Sequence, residues 1–188
     1  MAVETQTTRA RLQECALRLF AERGYAATSV ADVARAAGVS HMTFFRHFPT
    51  KESVVVGDVF DPLIAEVVAA QPADLPALDR AAGGILAALD NEDARAELAT
   101  HAFRQRIRLA SDTPALRPAV WASGQETQTA IAMALTSTGS DAAASLAAAA
   151  AVIGAATAVL LDWAASDGDD TAEGRLRAGL SSLIGSRR

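Results

Sequence analysis

Residues 142–161 run for twenty positions without a charged side chain. That is about the ~20 residues a helix needs to cross a bilayer, so this one segment allows only two kinds of fold. The run is mostly alanine, Asp141 and Asp162 close its two ends, and no Lys or Arg stands nearby to anchor an orientation. A helix inside a water-soluble protein is therefore expected rather than a membrane span. A helix this apolar must be covered by other elements. Elsewhere helical spacing recurs, and no strand-like alternation bounded by hairpin turns is present, so the chain is expected to be all-α. No repeat of 20 to 50 residues is visible, which argues against a solenoid.

The helices are marked by their caps. Residues 1–7 are expected to form a frayed polar arm. A first helix is placed from Thr8 to Gly24, with Leu12, Ala16, Leu19 and Phe20 on one face and Gly24 as its stop. Ser29 followed by Asp32 makes a capping box for a second helix, which carries Val30, Val33, Ala34 and Ala37 inward and ends at Gly38. Ser40 then caps a third, over residues 41–48, with Phe44 and Phe48 one turn apart facing a core. Two short helices about a Gly-containing turn make a helix-turn-helix. Pro49 closes it, Thr50 caps a helix over residues 51–70, and Pro62 is expected to bend or break that helix. Further helices are placed from about Pro76, over 93–110, after Thr113, over 141–166 and over 171–184.

Charge is unevenly distributed. Residues 1–52 hold seven basic and five acidic side chains, and the remainder ten and seventeen, so a net +2 segment precedes a net −7 body. Such a chain can present one face to phosphate and repel it elsewhere. The single cysteine, Cys15, forms no internal disulfide and reads as a small buried apolar residue. With no secretory leader apparent, a reducing cytoplasm is the expected compartment. His41, His47 and His101 show no metal-ligand spacing, and no phosphate-cradling glycine loop precedes a helix. No catalytic residues, metal site or cofactor are expected, and an enzyme is the least favoured class.

Residues 25–54 (YAATSVADVARAAGVSHMTFFRHFPTKESV) resemble the DNA-binding headpiece of the TetR family. The anchors Leu19-Phe20, Gly24-Tyr25, Ala37-Gly38-Val39-Ser40, His47-Phe48 and Lys51-Glu52 all stand at family spacing. The likeness implies a three-helix headpiece over residues 1–52 and a helical effector-binding and dimerisation bundle over 53–188. A recognition helix enters the major groove by its N-terminal end, which puts His41, Met42 and Thr43, after the cap Ser40, toward base edges. The family pattern puts phosphate contacts at Thr28 or Ser29, Phe45, His47 and Lys51, the last beside free N–H groups at a helix start. The family commonly has tyrosine where this chain has Phe45, so here only ring packing against sugar remains.

The body resembles actinobacterial members, including the mycofactocin-system regulators, around Arg106-Ile-Arg108 and Pro114-Ala-Leu116-Arg117. The resemblance implies a homodimer through the last two helices, binding palindromic double-stranded DNA, and a small hydrophobic or amphipathic effector, of which an acyl-CoA is one candidate. Leu146, Ile153, Thr157 and Leu160 form the expected dimer stripe, with Gly154 and Ala158 allowing close approach. Phe103, Arg104, Ile107, Trp121 and Gln125 are candidate effector contacts, mixing apolar walls with polar groups. Glu97, His101, Arg104 and Arg108 share a helical face on which Glu97 is expected to partner His101. The reading is of a ligand-released repressor, against a constitutive regulator or an activator built on the same headpiece.

Overall fold

In a computed structural model, residues 2–57, 63–166 and 168–185 are described, and among them there are eleven α-helices, one 3-10 turn and no strand. The helices are α1 (Ala2–Arg23), α2 (Val30–Ala36), α3 (His41–His47), α4 (Ser53–Val56), α5 (Leu63–Ala69), α6 (Ala77–Ala88), α7 (Glu92–Leu98), α8 (His101–Asp112), α9 (Arg117–Ser137), α10 (Ala142–Ala165) and α11 (Ala172–Gly185). The all-α expectation holds. Three details differ. α1 is helical from Ala2 rather than beginning at Thr8, since nothing in the stretch before Thr8 is Gly or Pro. The single helix expected over 93–110 is two, because Asn91 and Thr100 each cap a new start: Asn91 Oδ1 accepts from the Asp93 and Ala94 N–H groups, and Thr100 Oγ1 from that of Phe103. The helix expected over 51–70 is also interrupted, since α4 ends at Val56 with Gly57 in an extended conformation (φ −68°, ψ 142°) and α5 begins at Leu63; the expected bend at Pro62 itself lies outside the described residues.

Three apolar clusters organise the molecule. Leu12, Ala16, Leu19, Phe20, Val33, Ala34, Phe44 and Phe48 form the first, which runs on through Val54 and Val55 of α4 to Ala110 of α8 and Leu116. The second joins α5, α6, α9, α10 and α11; the third centres on Phe103, Leu160 and Trp163. α5 and α6 approach so closely that a Cβ at Gly84 would lie 2.5 Å from Val68 Cγ2 and 2.7 Å from Val68 Cα.

The α9–α10 turn is held by a fully buried arginine. Arg80 donates to Ser140 Oγ at 2.8 Å and to Thr138 Oγ1 at 2.5 Å, and Thr138 Oγ1 in turn donates to Ala134 O at 2.7 Å. The cation thus sits at the negative end of the α9 dipole.

α10 is long and apolar enough to cross a membrane by length and composition, yet it packs on α6, α8, α9 and α11 through Ala149, Val152, Ile153, Ala156, Leu160 and Trp163. The expected stripe divides. Ile153 and Leu160 face this core, Thr157 is half-buried, and Leu146 lies on the open edge, 60% exposed. The fully open strip is further round the helix, at Ala143, Ala147, Ala150, Gly154 and Ala158. In a helix this rich in alanine, periodicity cannot say which side its neighbours cover.

Candidate nucleic-acid interface

The helix-turn-helix is built as its caps dictate. Ser29 Oγ accepts from the Asp32 N–H while Asp32 Oδ2 accepts from the Ser29 N–H, a reciprocal capping box on α2. α2 ends in a left-handed glycine, Gly38 with φ +66°, whose N–H donates to Arg35 O while that of Val39 reaches Ala34 O. This pairing satisfies two carbonyls and turns the chain within three residues. Ser40 Oγ then caps α3 by accepting from the Thr43 N–H at 3.1 Å.

α3 is sharply two-sided. Phe44 and Phe48 are fully buried with ring centroids 5.7 Å apart, while His41, Met42, Phe45 and Arg46 are exposed, Met42 to 77%. The open side therefore carries His41, Met42 and Phe45 of the expected set together with Arg46, which the sequence reading passed over. The Thr43 hydroxyl is engaged with Ser40 Oγ at 2.9 Å. His47 is half-buried, and its carbonyl accepts from Arg9 Nη1 at 2.6 Å while the Arg9 guanidinium lies 4.4 Å from the Phe48 ring centre. Burial first, then the charges of Arg46 and Arg9, hold the His47 imidazole below its ordinary 6.5, so near neutrality it offers a hydrogen bond rather than a charge.

Two expected phosphate contacts are turned inward. Thr28 is 2% exposed, and its hydroxyl donates to Gly24 O at 3.0 Å and Leu19 O at 3.3 Å. Lys51 Nζ donates to Tyr25 O at 2.7 Å and Thr28 O at 2.9 Å and lies 3.9 Å from the Tyr25 ring centre. The sequence showed a lysine near a helix start; the fold brings the Tyr25 and Thr28 carbonyls of the α1–α2 turn within its reach. The free N–H groups expected there are also partly used, since the Ser53 N–H donates to Thr50 Oγ1 at 3.1 Å. Tyr25 donates to Glu52 Oε1 at 2.7 Å. That bond holds the Glu52 carboxyl below its usual range, and burial, followed by the hydrogen bond to Glu52, pushes the tyrosine well up.

α4, which follows the helix-turn-helix, is fastened to α8 by Arg106, 3% exposed. Its Nε donates to Val55 O at 3.0 Å and a terminal nitrogen donates to Gly57 O, both at the C-terminal end of α4, while Nη1 pairs with Glu97 at 3.3 Å. Glu97 therefore serves Arg106, not His101. The signal for Arg106 was present in the sequence: it shares a face with Phe103, Ile107 and Ala110, where an apolar residue belongs.

The structure separates the candidate effector residues. Ile107 lines an apolar cavity of about 50 Å³ with Val55 and Val56 of α4 and Val120, Gly124 and Leu160. Trp121, 69% exposed, lines an adjoining open groove with Arg117, Gly154 and Ala158, and the two spaces share Ala110, Val120, Gly124, Thr157 and Leu161 as walls. Phe103 is buried against Trp163; Arg104 donates to Ser166 O at 2.7 Å and lies over the Trp163 ring; Gln125 donates to Gln128 Oε1 at 3.0 Å. These three line neither space. Among the described residues no group of three or more His, Cys, Asp or Glu is placed to hold a metal.

Residues 14–56 match the family model of bacterial regulatory proteins, tetR family, and residues 83–187 that of the MftR C-terminal domain. The chain is 43% identical over 68 residues to the HTH-type transcriptional repressor Rv3405c of Mycobacterium tuberculosis, 36% of each chain. It is 49% identical over 47 residues to the HTH-type transcriptional repressor KstR2 of Rhodococcus jostii, 25% of this chain and 23% of that one. The chain thus matches about a third or less of the length of these relatives. In fold it is similar to NalD, the secondary repressor of the MexAB-OprM multidrug efflux pump in Pseudomonas aeruginosa (TM-score 0.58, 19% identity, 96% and 95% covered). It is also similar to Thermus thermophilus FadR in complex with lauroyl-CoA (TM-score 0.52, 19% identity, 96% and 95% covered). With the MftR C-terminal model spanning more than half of the chain and the tetR model lying on the helix-turn-helix, this protein belongs to the TetR family of helix-turn-helix transcriptional regulators.

Proposed function

We propose that the chain is a repressor that binds palindromic operator DNA as a homodimer and is released by a small apolar or amphipathic effector in the cytoplasm. A headpiece of residues 1–52 reads the DNA and a body of 53–188 dimerises and senses. The carrying observation is the open side of α3, where His41, Met42, Phe45 and Arg46 stand clear of a fully buried Phe44–Phe48 floor. Ser29, Ser40, Thr43 and His47 lie at its rim. In the major groove such a face reads base edges from its first turn and phosphate from its flanks.

A palindrome needs a twofold partner. The open strip of α10, from Ala143 to Ala158 through Gly154, is matched on α11, which packs on α10, by exposed Gly174, Ala178 and Ser181. Small residues of this kind let helices from a second copy approach closely. The α10 and α11 faces together supply the dimer surface.

For the effector, the cavity under α4 is the sensing point, because two of its walls, Val55 and Val56, belong to the helix that carries the headpiece. Its 50 Å³ is room for roughly four waters. An effector with an acyl chain, such as the lauroyl-CoA held by Thermus thermophilus FadR, enters this cavity from the adjoining groove, with which it shares Val120, Gly124 and Leu161, and its entry moves α4 away from α8, which releases DNA. The smallness of this cavity also favours a second reading, a constitutive regulator with no effector.

Selection of bound sequences from a random duplex library, followed by fluorescence anisotropy at two salt concentrations, tests the reading. A twofold-symmetric site with salt-sensitive binding is expected, and loss of binding on addition of lauroyl-CoA. Absence of any enriched symmetric site refutes the regulator, and binding indifferent to acyl-CoAs and metabolite extract favours the constitutive form. Ala150→Arg with Ala158→Glu is expected to shift sedimentation from dimer to monomer.

A further inference from the structure

The first turn of α3 holds three side chains at its tip, of unequal polar capacity. Met42 has no hydrogen-bonding capacity beyond a weak sulfur, and the Thr43 hydroxyl is paired with Ser40 Oγ at 2.9 Å. His41 remains, exposed and one turn from Phe45. Its ring meets that of Phe45 edge to face, with centroids 4.7 Å apart and planes at 77°. Phe45 in turn meets Phe44 edge to face at 5.5 Å and 83°, and Phe44 packs on Phe48 at 5.7 Å. Phe44 and Phe48 are fully buried. Four rings therefore form a continuous ladder from the headpiece core to the imidazole at the tip.

We propose that Phe45 is a specificity-determining positioning residue: it fixes the His41 imidazole for reading a purine edge, while making no polar contact with DNA itself. The inference rests on the headpiece being the DNA reader. An exposed side chain at a helix start samples several rotamers, and freezing it on binding costs affinity. The edge-to-face contact is of the kind that holds rings in one relative orientation. Thus held, the imidazole donates to purine N7 or guanine O6, or accepts from adenine N6–H2, in the major groove, and the neighbouring Met42 methyl offers an apolar contact for a thymine methyl. A phenylalanine has no hydroxyl for a phosphate oxygen, so its contribution is selectivity at one base position rather than uniform affinity.

The test is selection from a random duplex library with the full-length chain, comparing wild type, His41→Ala, Phe45→Leu, Phe45→Tyr and the His41→Ala, Phe45→Leu double variant. His41→Ala is expected to erase base preference at one position per half-site. Phe45→Leu is expected to weaken preference at that same position by about three- to tenfold, the size of an aromatic pair, and to leave the other positions ranked as before. The double variant should match His41→Ala at that position, since the two residues act as a unit. Phe45→Tyr keeps the ring and restores the preference. A Phe45→Leu protein that keeps the His41-dependent preference overturns the proposal, as does one that weakens every position equally, which marks Phe45 as packing or backbone contact alone. His41→Ala without effect at any position overturns it too. A wild type that enriches no motif fails earlier and takes the DNA-binding reading with it.

Discussion

Replacing Arg106 with Met keeps an unbranched apolar stem and removes the polar head of the side chain. The guanidinium is 3% exposed and donates to Val55 O and Gly57 O, two carbonyls at the end of α4. Terminal carbonyls of this kind have no partner within their own helix. Each buried acceptor left unsatisfied costs about 1–3 kcal/mol. The Glu97 side chain is 55% exposed, so its pairing with Arg106 contributes at most about 1 kcal/mol. The two acceptors and the ion pair together put the loss at about 2–7 kcal/mol, a large part of the 5–15 kcal/mol typical of a domain. Urea unfolding of the full chain measures this as a lower midpoint at unchanged slope. Because α4 carries the headpiece, DNA affinity should fall as well, and Arg106→Lys, which can reach one carbonyl, should fall between. Arg108→Met is the control: it pairs with Asp112 only at 3.8 Å on the surface and should stay within about 0.5 kcal/mol of wild type. A loss below about 1 kcal/mol for Arg106→Met would show that water replaces the guanidinium at α4, and the joint would have to be sought elsewhere.

Thr28→Val and Lys51→Met should each cost about 1–2 kcal/mol of stability and leave the salt dependence of DNA binding unchanged; a slope reduced by about 0.9 would instead mark a lost phosphate contact. Tyr25→Phe removes the 2.7 Å bond to Glu52 and about 1 kcal/mol at neutral pH. Because Glu52 is held below its ordinary 4.5 in the folded protein, its contribution is present above that value and lost as pH falls through the folded one. The variant should therefore have a flatter acid limb below about pH 4.5 in thermal melts, and an acid limb identical to wild type would remove Tyr25 as the cause. Gly84→Ala drives a Cβ against the Val68 backbone and should lower the melting temperature by the equivalent of about 1–3 kcal/mol; a neutral effect would mean that α5 and α6 separate freely.

Local chemistry in the sequence determined the headpiece. The Ser29–Asp32 box, the Gly38 turn, the Ser40 cap and the Phe44/Phe48 pair each act within four residues, so spacing alone specified them and the structure shows each one. Asp141 likewise starts α10. Tertiary structure decided what depends on residues far apart in the chain. Lys51 looked like a surface contact because its acceptors, Tyr25 and Thr28, are brought to it only by folding, and Thr28 is drawn inward to Leu19, nine residues back, as well as to its neighbour Gly24. Arg104 was free in the sequence and is taken by Ser166, 62 residues on. Which side of α10 stays open was equally undetermined, since alanine offers nearly the same surface in every direction and the packing of α6, α8, α9 and α11 makes the choice. Short-range hydrogen bonds can be counted along a sequence; the desolvation of a charge depends on which helix arrives beside it.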